Sequence, residues 1–358
     1  MEESRRAESG KRKTESGKLR TESGELADAA ELIYKKIYKI NKISLACEQE
    51  NQKTTTQHKF LMNTTDMHIP SNKVRDIERY FHTELAGLYP DGEITMFVRM
   101  LFGAFLGWSL TDLLLHRDDT VNQSDLLRFH WAVEDLKRFR PIQHIIGWTD
   151  FCGCRIEVDE NTLIPRPETE EIVNWTIEHN SQFTNHKSQS RILDLCTGSG
   201  CIAIALAKQW PEAEVWAVDI SEKALAVARR NAAANNVSIN FIQADILSKS
   251  IIPNSQFDII ISNPPYVMEQ ERAAMQRNVL DWEPAKALFV PDGDPLLFYR
   301  AIADIARGSI GRDGCVILEI NEQLGAETAR LFEGHGFKTE LHSDFRGRTR
   351  MLTATLQL

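Results

Sequence analysis

The sequence predicts an α/β protein: a mainly parallel sheet covered by helices on both faces, preceded by a small helical domain. Three observations carry this reading. From Arg191 onward, short apolar runs alternate with segments of helical spacing, the pattern of βα units that build a parallel sheet. The first of these units holds Asp194-Leu195-Cys196-Thr197-Gly198-Ser199-Gly200-Cys201-Ile202-Ala203, a glycine turn between strand and helix, with Asp219 about one βα unit further on. A later apolar run, Phe257-Asp258-Ile259-Ile260-Ile261-Ser262, ends at the polar tip Asn263-Pro264-Pro265-Tyr266. Open α/β sheets place their chemistry at such strand ends.

Taken in order, the chain starts with a repeat of seven-residue spacing, Glu8-Ser9-Gly10, Glu15-Ser16-Gly17 and Glu22-Ser23-Gly24. A glycine in every repeat and no apolar seam exclude a coiled coil, and too little apolar surface exists to offset the entropy of ordering, so this segment is expected to be disordered. A start of translation at Met62 or Met67, just before the first well-patterned helix, would leave the preceding residues outside the working protein; an intact mass of the native protein tests this. From 71 to 140 the spacing is helical, with Val74, Ile77 and Tyr80-Phe81, then Met96, Val98, Met100-Leu101 and Phe105-Leu106; Asp91-Gly92 and Asn122-Gln123-Ser124 read as turns or caps. A hairpin is expected over 145–158 around Gly147 and Gly153. Pro165 and Pro167 then fix an extended approach to a helix starting near Pro167, and 180–190 reads as a loop. Strands are expected near 192–196, 214–219, 240–243, 257–262, 315–320, 337–342 and 350–356, and helices over 199–209, 221–234, 295–306 and 323–333.

Composition bounds the function. With 358 residues, 42% of them hydrophobic and 26% charged, the chain can bury a full core and is long enough for two domains. The net charge of −9, and 17 Lys and Arg against 21 Asp and Glu from Arg191 onward, argue against nucleic acid as the main partner. Cys47, Cys152, Cys154, Cys196, Cys201 and Cys315 form no C-x-x-C pair, so they read as reduced core residues with no zinc site. No run of 18 apolar residues exists, and charges stand where a signal peptide needs its apolar core, so a cytoplasmic protein is expected.

The motifs carry specific chemistry. Gly198 and Gly200 let the backbone bend and approach a ligand, while Ala203 lets the helix pack close to the strand. A pyrophosphate would suit the helix N-terminus, but the carboxylate of Asp194 lies close by and would repel it. The combination suits a ligand with a cationic amino-acid end, such as S-adenosylmethionine, with Cys196, Thr197, Gly198, Ser199 and Gly200 forming its loop and Asp194 and Asn263 also counted among its binding residues. Asp219 is placed to accept both ribose hydroxyls, or else to cap the helix near Ser221. Asp245 is placed to accept from an adenine amino group with Ile246 beside the ring, or else to make its own turn bond. In Asn263-Pro264-Pro265-Tyr266 the prolines hold the chain extended, so that the Asn263 side-chain oxygen and the Pro264 carbonyl can point into one cleft. Two such acceptors grip one NH2 group and favour the polarised nitrogen that attacks a sulfonium methyl. Tyr266 is expected to pack on the planar group and exclude water.

At these residues the sequence resembles the peptide chain release factor N5-glutamine methyltransferases, the HemK/PrmC family, over roughly 71–358. The supporting stretches are Pro141-Ile142-Gln143-His144-Ile145-Ile146-Gly147, Leu163-Ile164-Pro165-Arg166-Pro167-Glu168-Thr169-Glu170, the glycine turn, the Asn-Pro-Pro-Tyr tip, Trp282-Glu283-Pro284-Ala285 and Asp344-Phe345-Arg346-Gly347-Arg348. The resemblance implies a seven-stranded Rossmann-like class I methyltransferase domain. It also implies transfer of a methyl group from S-adenosylmethionine to the glutamine side-chain nitrogen of the Gly-Gly-Gln loop in class 1 release factors. It carries the cofactor loop onto Cys196 to Gly200, the ribose carboxylate onto Asp219, and the glutamine grip onto Asn263, Pro264, Pro265 and Tyr266. Cys196 stands where glycine is frequent, which suits a side chain facing the core, and Ile246 where some members have an aromatic ring. The expected division is an extension over 1–66, a helical substrate-recognition domain over 67–140, a hairpin linker over 141–165 and the methyltransferase domain over 166–358. No membrane and no direct nucleic-acid contact are expected. Other readings are methylation of a base amine in DNA or RNA, methylation of a ribosomal-protein glutamine, and a non-catalytic ligand-binding protein. Arg346 and Arg348 read either as substrate contacts or as solvated loop residues.

Overall fold

A computed structural model describes residues 71–179, 190–248 and 256–357. The expectations for 1–66, Cys47 among them, lie outside the described residues, as does nearly all of the loop expected over 180–190.

Helix α1 (Val74–Leu85) buries Val74, Ile77, Tyr80, Phe81 and Leu85 along one face, the stripe that three-to-four spacing produces. Helix α2 (Asp91–Leu106) opposes it with Ile94, Phe97, Val98, Leu101 and Phe102. Helix α3 (Leu110–Leu115) opens on a capping box between Ser109 and Asp112. Helix α4 (Gln123–Lys137) opens on Asn122, whose side chain accepts the Asp125 N–H, as its cap reading predicted. The Asp91-Gly92 pair instead forms the first turn of α2, because Pro90 supplies the extended residue before it. Helix α5 (Ile142–Ile146) also departs from expectation: Ile145 and Ile146 do not start the hairpin, because they pack against the helical core. The hairpin is β1 (Trp148–Phe151) and β2 (Cys154–Glu157), joined by Cys152-Gly153 with φ of 46° and 71°. That mirror-image turn matches the twist of paired strands.

The remaining elements alternate: α6 (Pro167–His179), β3 (Arg191–Leu195), α7 (Cys201–Gln209), β4 (Glu214–Asp219), α8 (Glu222–Ala234), β5 (Asn240–Gln243), β6 (Phe257–Ser262), β7 (Val267–Met268), α9 (Arg277–Leu280), β8 (Phe289–Val290), α10 (Leu297–Ser309), β9 (Ile310–Glu319), α11 (Gly325–Gly334), β10 (Phe337–Ser343) and β11 (Thr349–Leu356). Seven strands form one sheet in the order β10-β11-β9-β6-β3-β4-β5, in which β11 runs opposite to the other six. Alternate residues feed the two faces. Ile259, Ile261, Cys315 and Ile317 join one core with α7, while Ile260, Val316 and Leu318 join the other with α10. Strand β9 starts at Ile310, ahead of the expected 315, because Ile310 pairs with Phe257 and a register shift before Ile259 absorbs the intervening residues. The two-residue strands β7 and β8 pair with each other outside the main sheet and have no sequence signal at that length.

Among the described residues, no helix is long and apolar enough to cross a membrane, and no group of three or more His, Cys, Asp or Glu could hold a metal ion.

Candidate active site

The sheet order places the site. Growth runs from β3 to β4 to β5, then returns to the other side of β3 with β6, so the crevice opens beyond the carboxyl ends of β3 and β6. Register sets the level at which residues emerge. Leu195 pairs with Ser262, and Ser262 pairs with Leu318, so Cys196, Asn263 and Glu319 leave three adjacent strands side by side. The Ser262 hydroxyl donates to the Leu195 carbonyl at 2.6 Å and ties the first two tips together.

A cavity of about 490 Å3 lies over these tips, lined by Cys196, Thr197, Gly198, Ser199, Asp219, Asp245, Ile246, Thr169, Arg166, Asn263 and Pro265, among others. Its size is that of a small-molecule site. In the turn, Gly198 has a φ of 55° and no atom within 4 Å of where a Cβ would stand, so the backbone is open to a ligand. Gly200 has a φ of 82°, and a Cβ there would meet Ala228 Cβ at 3.0 Å, so glycine is what lets α7 and α8 approach. Asp219 closes the turn: its Oδ2 accepts the Gly198 N–H at 2.9 Å and its Oδ1 the Ser221 N–H at 2.8 Å. Ser221 itself caps α8 by accepting the Ala224 N–H, so Asp219 is left as a wall of the cavity. Burial raises the Asp219 pKa. Asp245 makes the turn bond available to any loop aspartate, accepting the Leu247 N–H at 2.9 Å, while also lining the cavity beside Ile246.

Three expected cofactor residues stand differently. Asp194 is fully buried beneath the turn and does not line the cavity; its Oδ2 accepts from the Thr197 hydroxyl at 2.5 Å and the Ala203 N–H at 3.3 Å. Its Oδ1 is buried with no hydrogen-bond partner among the described residues, and burial pushes its pKa up to about 7. Gly200 likewise supports the cavity from behind. Cys196 lines the cavity and is not turned wholly to the core; its φ of 61° is left-handed, which explains why glycine is at home at this position.

The acceptor side rests on a buried chain of hydrogen bonds. Asn263 Nδ2 donates to Thr169 Oγ1 at 3.0 Å, the Thr169 hydroxyl donates to Glu319 Oε2 at 2.6 Å, and the Tyr266 hydroxyl donates to Glu319 Oε1 at 2.8 Å. Glu319 is 1% exposed, and burial raises its pKa. Asn321 donates to the Tyr266 carbonyl at 3.1 Å and to Glu271 Oε2 at 3.0 Å, pinning the backbone after the prolines. Tyr266 is not among the residues that line the cavity. Its ring packs against the core under the sheet and its hydroxyl is taken by Glu319. Pro264 is buried and Pro265 lines the cavity.

Two stretches far apart in sequence meet at one wall. Glu283, 6% exposed, accepts the Ile164 N–H at 3.0 Å and pairs with Arg166 at 2.5 Å. These two contacts join Leu163-Ile164-Pro165-Arg166 to Trp282-Glu283-Pro284. Arg346 and Arg348 lie on an exposed loop facing Glu168 at 3.9 Å and Glu322 at 3.4 Å. Sequence reasoning gave no role to Thr169, Glu283, Glu319 or Asn321. The signal for Glu319 was legible, since an acidic residue inside Val316-Ile317-Leu318-Glu319-Ile320 has to be paired once buried.

The sheet order, the glycine turn and the polar tip define a class I methyltransferase. Residues 180–298 match the methyltransferase small domain, and residues 84–147 match the PrmC N-terminal domain. A release factor glutamine methyltransferase of Flavobacterium psychrophilum is 44% identical over 280 residues, covering 78% of this chain and 98% of that one. The enzyme of the same name from Bacteroides thetaiotaomicron is 39% identical over 279 residues, with 78% and 98% covered. Among solved structures, a release-factor-specific protein-(glutamine-N5) methyltransferase from Alicyclobacillus acidocaldarius is 28% identical, with 56% of this chain and 99% of that chain covered at a TM-score of 0.34. The chain belongs to the release factor glutamine methyltransferase family.

Proposed function

We propose that this chain transfers a methyl group from S-adenosylmethionine to the side-chain amide nitrogen of the glutamine in the Gly-Gly-Gln loop of class 1 release factors. What supports this reading most is the direction of one amide: Asn263 Nδ2 is engaged by Thr169, so Oδ1 remains as the acceptor at the cavity. That oxygen and the Pro264 carbonyl hold the substrate NH2, and the hydrogen bonds strengthen as charge develops on nitrogen. The cavity fits the cofactor in size and in its lining: the open backbone at Gly198, the accepting carboxylates of Asp219 and Asp245, and the apolar Ile246. When bound, S-adenosylmethionine supplies an electrophilic methyl on a sulfonium.

In this reading Cys196, Thr197, Gly198 and Ser199 shape the cofactor loop, while Asp194 and Gly200 hold that loop from beneath. Asp219 accepts the ribose hydroxyls and Asp245 with Ile246 receives the adenine. Pro265 narrows the cavity and Tyr266 fixes the tip. The helical part over 67–140 contributes to holding the release factor, with the hairpin of 141–165 joining it to the methyltransferase part over 166–358. A cytoplasmic location belongs to the same reading.

The test is incubation with labelled S-adenosylmethionine and either a purified release factor or duplex DNA, followed by mass localisation of the methyl group. Label on the Gly-Gly-Gln glutamine is the expected result. Label only on a base would retain the cofactor and overturn the acceptor.

A further inference from the structure

We propose that Thr169 and Glu319 are positioning residues for methyl transfer: the buried carboxylate, acting through the threonine hydroxyl, sets which end of the Asn263 amide faces the substrate. This rests on the reading of Asn263 as the acceptor of the substrate NH2.

The number of protons available fixes the orientation. A threonine hydroxyl has one proton to give, and a carboxylate has none. Glu319 accepts on both oxygens, from Thr169 at 2.6 Å and from Tyr266 at 2.8 Å. The Thr169 proton is thereby committed to Glu319, and its oxygen can only accept from Asn263. The amide end that meets it must be Nδ2, and the observed contact at 3.0 Å is of that kind. Oδ1 is then left for the substrate. With the order reversed, Asn263 would present an NH2 to an NH2, two donors facing each other, and the grip would be lost.

Place in the fold supports a dedicated device. Thr169 is 2% exposed on α6, and Glu319 is 1% exposed at the end of β9, beside the tip of β6. A carboxylate buried there is costly unless its oxygens are satisfied. Both are, and by hydroxyls that lead to the two polar members of the Asn-Pro-Pro-Tyr tip. The charged groups bearing on Glu319 are Arg350 on β11 and Glu168 on α6, with opposite effects. The two amide ends of Asn263 have nearly the same shape, and among the described residues the contact with Thr169 is the hydrogen bond that tells them apart.

The experiment uses the full chain with labelled S-adenosylmethionine and a purified release factor, comparing wild type with Thr169→Val, Thr169→Ser and Glu319→Gln. Thr169→Val keeps the shape and removes the hydroxyl. It is expected to lower kcat by roughly 10- to 100-fold, the scale of one directed transition-state contact. S-adenosylhomocysteine affinity measured by calorimetry should stay within about twofold, because the glycine turn, Asp219, Asp245 and Ile246 are unaltered and the added methyl replaces a hydroxyl of similar size. Thr169→Ser should restore kcat to within about threefold, since the hydroxyl alone carries the effect. Glu319→Gln supplies an independent arm, with kcat reduced and S-adenosylhomocysteine binding retained. Wild-type kcat in Thr169→Val would overturn the proposal. So would a Thr169→Ser variant as slow as Thr169→Val, or a loss of S-adenosylhomocysteine affinity that accounts for the loss in rate. Failure of the wild type to label the glutamine would instead refute the acceptor assignment, and the variant ratios can then be read on whichever amine is labelled.

Discussion

The two strand tips that meet at the site are built differently. The cofactor side, beyond β3, is nearly local: Asp194, the glycine turn and Asp219 fall within one βα unit, and the hydrogen bond from the Gly198 N–H to Asp219 spans 21 residues. The acceptor side, beyond β6, is assembled from distant parts. Asn263 reaches Thr169 across 94 residues, and Thr169 reaches Glu319 across 150. The lesson is one of division of labour: a local turn suffices to shape a cavity, whereas fixing the direction of one amide needs a buried carboxylate brought in by the sheet.

The comparison breaks most visibly at Asn263. Asn263→Ala is expected to reduce methyl transfer at least ~100-fold, the scale of losing a directed contact to developing charge, with S-adenosylhomocysteine binding retained. Single-turnover transfer and calorimetry on the same sample check both halves. A loss of rate that merely tracks lost cofactor affinity would erase the distinction between the sides.

A sharper probe of the cofactor side is the buried Asp194. Its folded pKa is raised from 3.8 to about 7, so between those values the folded protein holds a proton that the unfolded chain has released. Stability from this group is full below the unfolded pKa and is lost as pH rises, by about 1.4 kcal/mol per pH unit within that window. Urea unfolding at pH 5 and pH 7 should show this loss in wild type and its absence in Asp194→Asn. Parallel pH profiles for the two proteins would contradict it.

Asp219→Asn should weaken S-adenosylhomocysteine binding by about tenfold, as expected for hydrogen bonds to a charged acceptor, and leave kcat at saturating cofactor within about threefold. The smallest effect is expected at Cys196. Cys196→Gly relieves a left-handed conformation that costs a residue with a Cβ about 1–2 kcal/mol. Glycine's greater freedom when unfolded offsets about half of that. A thermal melt should therefore show equal or slightly higher stability.

The same contrast explains what was legible in the sequence. The central strands β3, β6 and β9 can be read from apolar runs, because a doubly covered sheet demands them, whereas the edge strands β5 and β10 are largely exposed and carry no such run. Asp219 is visible because it ends such a run, and Asn263 because prolines frame it. The helix α5 is hidden inside an apparent hairpin because five residues are too few for periodicity to speak. Thr169, Glu283 and Glu319 are unreadable as partners for another reason. Nothing in Leu163-Ile164-Pro165-Arg166-Pro167-Glu168-Thr169 states that its arginine meets Glu283 or its threonine meets Glu319; only the folded sheet brings them together. An aromatic beside a site suggests stacking from the sequence alone, whereas the buried carboxylate that takes the Tyr266 hydroxyl is visible only in the fold.

The most direct test of the account is a structure of this chain with S-adenosylhomocysteine and a Gly-Gly-Gln peptide. The account predicts the glutamine nitrogen at hydrogen-bond distance, about 2.7–3.2 Å, from both Asn263 Oδ1 and the Pro264 carbonyl, with Asn263 Nδ2 still on Thr169. A glutamine bound through its carbonyl to Asn263 Nδ2, with the Thr169 contact broken, would contradict it.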